Sequence, residues 1–106
     1  MQKQKTPILE ADVAIGGVSL MQKALFARNL AVMLKSGLTI TDSLEITEDA
    51  MQGKLKKAIG GVKNSVSSGQ PFSKALKDYP KIFSDLFVSG VEAGEKSGNL
   101  QENLEH

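Results

Sequence analysis

A chain of 106 residues suffices for one domain with one modest core, and with only 5% aromatic residues that core must be built from Leu, Val, Ile, Met and Ala around four Phe. Such a composition favours packed helices over a sheet. Thirteen basic against twelve acidic residues give a formal charge of +1, without the basic excess of a nucleic-acid binder, and the absence of Cys excludes a disulfide framework and a thiolate metal site.

No apolar run approaches the roughly 18 residues of a membrane span; the longest, Leu30–Leu34, has five. The opening MQKQKTPILEADVAIGG lacks the continuous apolar h-region of a signal peptide. Residues 1–18, with Pro7, Gly16 and Gly17 among short apolar pieces and no sustained period, read as an extended or poorly ordered N-terminal leader.

Ser19 then offers an N-cap, and Phe26, Leu30, Met33 and Leu34 form the stripe of a helix running to about Ser36. Gly37 stops it in the left-handed conformation. Thr41 reads as the N-cap of a second helix, with Leu44 in its first turn and Asp42 and Glu45 near its positive end. Gly53 interrupts the pattern before a third helix, Lys54 to about Ser68, whose face carries Leu55, Ile59, Val62 and Val66. Gly60 and Gly61 each lower its helix propensity by about 1 kcal/mol relative to Ala. Ser73 is positioned to cap a short fourth helix that Tyr79-Pro80 ends. Ser84 caps a fifth, with Phe87, Val91 and Gly94 on one face and Gly98 at its close, and Asn99 caps a sixth. The expected fold is all-α: a small six-helix bundle over residues 19–106, up-and-down with short loops, its last helix truncated. Leu104-Glu105-His106 is compatible with an expression-tag stub and with native sequence.

The chemical inventory is thin. His106 is the sole histidine and sits at the chain end, and no Gly-rich turn ending in Gly-Lys-Ser/Thr is present. Without a usable His or any Cys, the common general bases and activated nucleophiles are missing, so neither catalysis nor a cofactor is expected. Leu30–Ile46 has the outline of a helix-turn-helix, and a nucleic-acid-binding module is the alternative reading. Its second helix, however, carries Asp42, Glu45, Glu48 and Asp49 without Lys or Arg, which would repel a phosphate backbone.

Glu92 and Glu95, three apart, fall on one face of the fifth helix, as a solvated edge beside Lys96 or as a polar contact to a partner chain. Two carboxylates alone make a weak cation site, because hard cations take several oxygens. Gly90, Gly94 and Gly98 recur every four residues and allow another helix close approach, with internal packing the favoured use. Gly37, Gly94 and Gly98 are assigned to backbone geometry. Lys54, Lys56 and Lys57 read as a solvated face.

Two stretches carry a family resemblance. FARNLAVMLKSGLTITDSL, Phe26 to Leu44, resembles the opening of the type II secretion F domain, where Phe-x-Arg-Gln-Leu-Ala leads to Ala-Gly-Leu-Pro. Pro80, Phe83, Leu86-Phe87, Ala93-Gly94-Glu95, Ser97-Gly98 and Leu100 are similar to that family's closing motif, Ala-Gly-Glu-x-Ser/Thr-Gly-x-Leu after Pro and Phe. Val66, Gly69, Phe72-Ser73 and Ala75-Leu76 fit the segment between, so the resemblance covers about residues 20–104. Asn29, Ser36 and Thr39 depart from it, standing where Gln, Ala and Pro are usual.

The resemblance implies a polytopic inner-membrane protein with two such cytoplasmic domains in tandem, attached through membrane spans outside this chain. This chain resembles the first of the two, and the leader agrees with that placement. Members form the platform on which pilin or pseudopilin subunits are assembled, coupled to a cytoplasmic secretion ATPase. The partners so implied are that ATPase, other inner-membrane platform subunits and a second copy of the domain. The expected contact residues are Glu92, Glu95 and Lys96, with Arg28 and Asn29 second.

Overall fold

The computed structural model describes residues 18–105, so the leader reading for 1–17 and the reading of His106 lie outside it. Six helices follow in order: α1 (Leu20–Lys35), α2 (Ile40–Ala50), α3 (Gly53–Ser67), α4 (Phe72–Leu76), α5 (Asp85–Ser97) and α6 (Leu100–Glu105). Each helix packs on the next, and α6 returns to pack on α1, so the order closes into a ring around one core. Among the described residues, no helix is long and apolar enough to cross a membrane.

Local chemistry sets the boundaries. The Ser19 hydroxyl accepts from Gln22 N (3.1 Å) and the Gln22 side chain accepts from Ser19 N (3.0 Å), a reciprocal cap on α1. Gly37, at φ +96°, ends the helix by letting its own N–H reach Leu34 O (3.0 Å) and the Leu38 N–H reach Met33 O (3.1 Å). The second helix starts earlier than the sequence reading placed it, because its cap is Thr39, not Thr41. Thr39 is extended, and its hydroxyl accepts from Asp42 N at 3.0 Å, the three-residue offset a cap requires. The third helix begins at Gly53, after a Gln52 that makes no side-chain cap. Ser73 is likewise not the cap of α4. Pro71 holds that position and Ser73 lies inside the helix.

Phe26, Leu30, Leu44, Leu55, Ile59, Leu76, Val62 and Val91 are the large fully buried side chains. Phe26 packs on Phe83 (ring centroids 5.7 Å), and Phe83 stacks on Phe87 (5.8 Å). These contacts tie α1 to the start of α5 across more than fifty residues of sequence.

The two glycines inside α3 have packing reasons. A Cβ on Gly60 would come within 2.7 Å of Glu48 Oε2, and one on Gly61 would collide with the Tyr79 hydroxyl. Bare backbone there lets α2 and the α4–α5 connection lie close against α3. Beside Gly60, Glu48 pairs with Lys63 Nζ at 2.9 Å, both side chains about three-quarters shielded at 22% and 26% exposure. Chiefly through that hydrogen bond, and further through the charges of Glu48, Glu45 and Asp49, the Lys63 ammonium is held above its ordinary value of 10.5 although burial opposes this. A raised cationic group contributes stability that is fully present below 10.5 and is lost as pH rises through the higher folded-state value. The urea midpoint of Lys63→Met should therefore lie below the parent's at neutral pH, and the gap should close as pH rises above 10.5. An unchanging gap between the two chains across that range would remove the ion pair as its cause.

Candidate partner-contact surfaces

The residues expected to make partner contacts fall on two helices, Glu92, Glu95 and Lys96 on α5 and Arg28 and Asn29 on α1. On one flank of α5 the Glu95 carboxylate accepts from Ser73 N (3.0 Å) and from Ser73 Oγ (2.6 Å), binding α5 to the first turn of α4. α4 lacks a side-chain cap of its own, and Glu95 supplies an acceptor to one of its N-terminal N–H groups, that of Ser73, from a position twenty-two residues away. Glu92 is half-buried and Lys96 exposed nearby. Among the described residues neither carboxylate forms an ion pair with Lys96, and no group of three or more His, Asp or Glu gathers. Glu95→Ala leaves the hydroxyl and amide of a 5%-exposed Ser73 without their acceptor. That loss is expected to destabilise the fold by about 1–3 kcal/mol in urea unfolding, with Glu95→Gln recovering part of it.

The other flank of α5 faces α6. A Cβ on Gly94 would stand 2.7 Å from Leu100 Cα, so Gly94 is the point where the α6 backbone touches α5. Gly98, at φ +80°, turns the chain for that return. Gly90 has open space around its Cα, and its carbonyl accepts from Asn103 Nδ2 at 2.8 Å. The four-residue glycine line is thus an internal helix contact at one of its positions and a hydrogen-bonding point at another.

Beyond α6 lies a groove between α1, the start of α5 and the end of α6, with a volume of about 610 Å³. Leu20, Ala24, Phe83, Phe87 and Leu104 form its apolar walls, and Lys23 and Arg28 line it from α1. Arg28 is exposed, while its neighbour Asn29 is half-buried. Arg28 lines this groove, whereas Glu92, Glu95 and Lys96 do not.

A second apolar surface escapes the sequence reading. Met21, Leu25 and Val32 fall within one sector of α1 and are 80%, 49% and 52% exposed. Leu20 (76%) and Leu86 (84%) stand out at the end where α1 and α5 begin. In the sequence they look like core residues. Only the packing of Phe26, Leu30 and Ala31 on the opposite face of α1 shows that they are not.

Comparison with known proteins agrees with the motif positions. The family model for type II secretion system (T2SS) protein F matches residues 26–106. The type IV pilus assembly protein PilC of Myxococcus xanthus is 35% identical over 105 residues, covering 95% of this chain and 25% of its own length. The type II secretion system protein F of Vibrio cholerae is 37% identical over 90 residues, 84% of this chain and 22% of its own. The PilC of Thermus thermophilus is 41% identical over 97 residues, 87% of this chain and 24% of its own. The chain thus spans about a quarter of the length of these relatives. With the family match running from Phe26 within α1 through α6, and both quoted motifs inside it, this chain belongs to the type II secretion system protein F family.

Proposed function

We propose that this domain is a scaffold on the cytoplasmic face of the bacterial inner membrane, the first of two such domains in a platform protein for pilus or pseudopilus assembly. Its work is protein–protein contact: it receives a conformational change from the assembly ATPase and passes it to the membrane-embedded part of the platform. The family match over residues 26–106 carries this reading. Exposed apolar side chains on α1 and the groove beside them support it, since such faces on a small domain mark contact sites. The chain acts without catalysis of its own, and hydrolysis belongs to the ATPase. Other platform subunits and a second copy of this domain are its further partners, and nucleic acid is not among them.

Titration calorimetry of the domain against the assembly ATPase of the same system tests the reading. Saturable binding should differ between ATP- and ADP-loaded ATPase, and Arg28→Glu or Glu92→Ala should weaken it by about fivefold or more if either is a principal contact. Absence of binding at high micromolar concentrations would remove the ATPase as a direct partner of this domain.

A further inference from the structure

We propose that the lysine-rich face formed by α3, α4 and the turn after it seats the domain on an anionic phospholipid surface. The inference goes beyond the platform reading and stands without it, since bare lipid vesicles read it in the absence of any assembly partner. It rests on how unevenly charge is distributed in the chain and on what the face lacks.

Charge is segregated along the sequence. Residues 53–81 hold seven of the thirteen basic residues and, of the twelve acidic ones, only Asp78. The acids gather elsewhere, four of them in α2 and five from Asp85 onward. Two of the seven lysines turn toward α2: Lys63 pairs with Glu48 at 2.9 Å, and Lys56 Nζ donates to Glu48 O at 3.4 Å. The other five, Lys54, Lys57, Lys74, Lys77 and Lys81, are exposed, and among the described residues none of them has a carboxylate within ion-pair distance.

The fold brings these five to one side. Lys57 and Lys54 share a sector of α3 with Gly61, which lies one turn beyond the first and two beyond the second. The Tyr79 hydroxyl rests against Gly61, and Lys77 and Lys81 stand two residues to either side of Tyr79. Lys74 and Lys77 take the outer side of α4 and its C-cap, because Phe72, Ser73, Ala75 and Leu76 fill the buried one. What the face lacks selects its partner. No exposed large hydrophobic residue lies between 53 and 81, Tyr79 is half-buried, and the chain's one Arg is on α1. Protein hot spots are built on aromatic and Arg anchors, with Lys depleted at their centre. Nucleic-acid sites add stacking rings or Arg forks to their charge. Ammonium groups alone, as mobile point charges, match a fluid sheet of phosphate headgroups. Each lysine held within about 8 Å of such a surface raises partitioning by about fivefold. With no apolar side chain to insert, the domain lies on the headgroups and is released by salt.

The test is co-sedimentation of the 106-residue chain with sucrose-loaded vesicles of phosphatidylcholine containing about one-third phosphatidylglycerol. At about 0.05 M salt the chain should bind them about tenfold or more tightly than it binds pure phosphatidylcholine vesicles, and about 0.5 M salt should release it. Lys57→Glu/Lys81→Glu, one change on α3 and one on the turn after α4, should reduce partitioning by about tenfold or more. Lys23→Glu/Arg28→Glu on α1 makes the same change in net charge and should reduce it by less than about threefold, because charge off the face is screened. Lys57→Gln/Lys81→Gln, a milder pair, should fall between the parent and the Glu pair, and a urea midpoint near the parent's shows that a variant is folded. Equal binding to both kinds of vesicle would overturn the proposal. So would equal losses from the two charge-reversed pairs, which would make net charge the cause. Tighter binding to duplex DNA than to the anionic vesicles at matched phosphate concentration would overturn it as well, making nucleic acid the occupant.

Discussion

Phe26→Ala is expected to lower the unfolding free energy by about 3–5 kcal/mol, the largest effect of any single truncation in this domain. Phe26 is wholly buried and is the first link of the Phe26–Phe83–Phe87 chain that joins α1 to the start of α5. Its removal opens a void against Phe83, which itself forms a wall of the 610 Å³ groove. Little around the void can collapse into it, because Leu30 and Ala31 of the same helix are already fully packed. Domains of this size have only about 5–15 kcal/mol in total, so the variant should sit near the edge of folding at 37 °C. Urea unfolding followed by circular dichroism measures the loss. A change below about 1 kcal/mol would mean that the ring is not packed as described, since even partial cavity collapse leaves a larger cost.

Gly94→Ala and Gly90→Ala should move stability in opposite directions although they stand one helical turn apart. Either substitution brings a helix-propensity gain of about 1 kcal/mol. At Gly90 nothing lies within 4 Å of the new Cβ, so that gain should appear nearly whole. At Gly94 the Cβ would meet the Leu100 backbone at 2.7 Å, and backbone cannot swing aside as a side-chain tip can. α6 must shift, loosening the buried Leu104 and the Asn103 bond to Gly90 O. Overpacking of this kind costs about 1–3 kcal/mol, enough to outweigh the propensity gain, and Gly94→Val should be worse. The paired comparison cancels what the two sites share. Stabilisation at both positions would show that α6 does not rest on Gly94.

Six helices with short connections could be read from the sequence because the chain punctuates itself: Ser19, Ser84, Gly37 and Gly98 each act where local rules place them. Misplacements arose where two residue types competed for one role. Thr39 and Thr41 are equivalent as caps on paper, and geometry selects the one three residues ahead of an available amide. Ser73 looked like a cap because its type is right, but its hydroxyl and amide are claimed by Glu95 from another helix. Gly60 and Gly61 looked like weak points in α3, and their reason is non-local: Glu48 and Tyr79 occupy the space their side chains would need. Of the expected contact residues, spacing and resemblance could name Glu92, Glu95 and Lys96 with Arg28 and Asn29 second, but could not show that Glu95 is bonded to Ser73 or that Arg28 lines a groove. The groove was illegible for the same cause, since its walls come from segments some eighty residues apart.

The proposed role of this domain, contact within an assembly platform, is open to measurement in the whole protein. Arg28→Glu, placed in the full-length platform protein of its own bacterium, should reduce surface pilus or exoprotein output by about tenfold or more while protein level stays unchanged. The isolated domain should retain its urea midpoint, because Arg28 is exposed and outside the core. Full output from Arg28→Glu, and equally from Glu92→Ala and from Leu25→Glu on the exposed sector of α1, would contradict the claim: the domain would then contribute none of its outward surfaces to assembly.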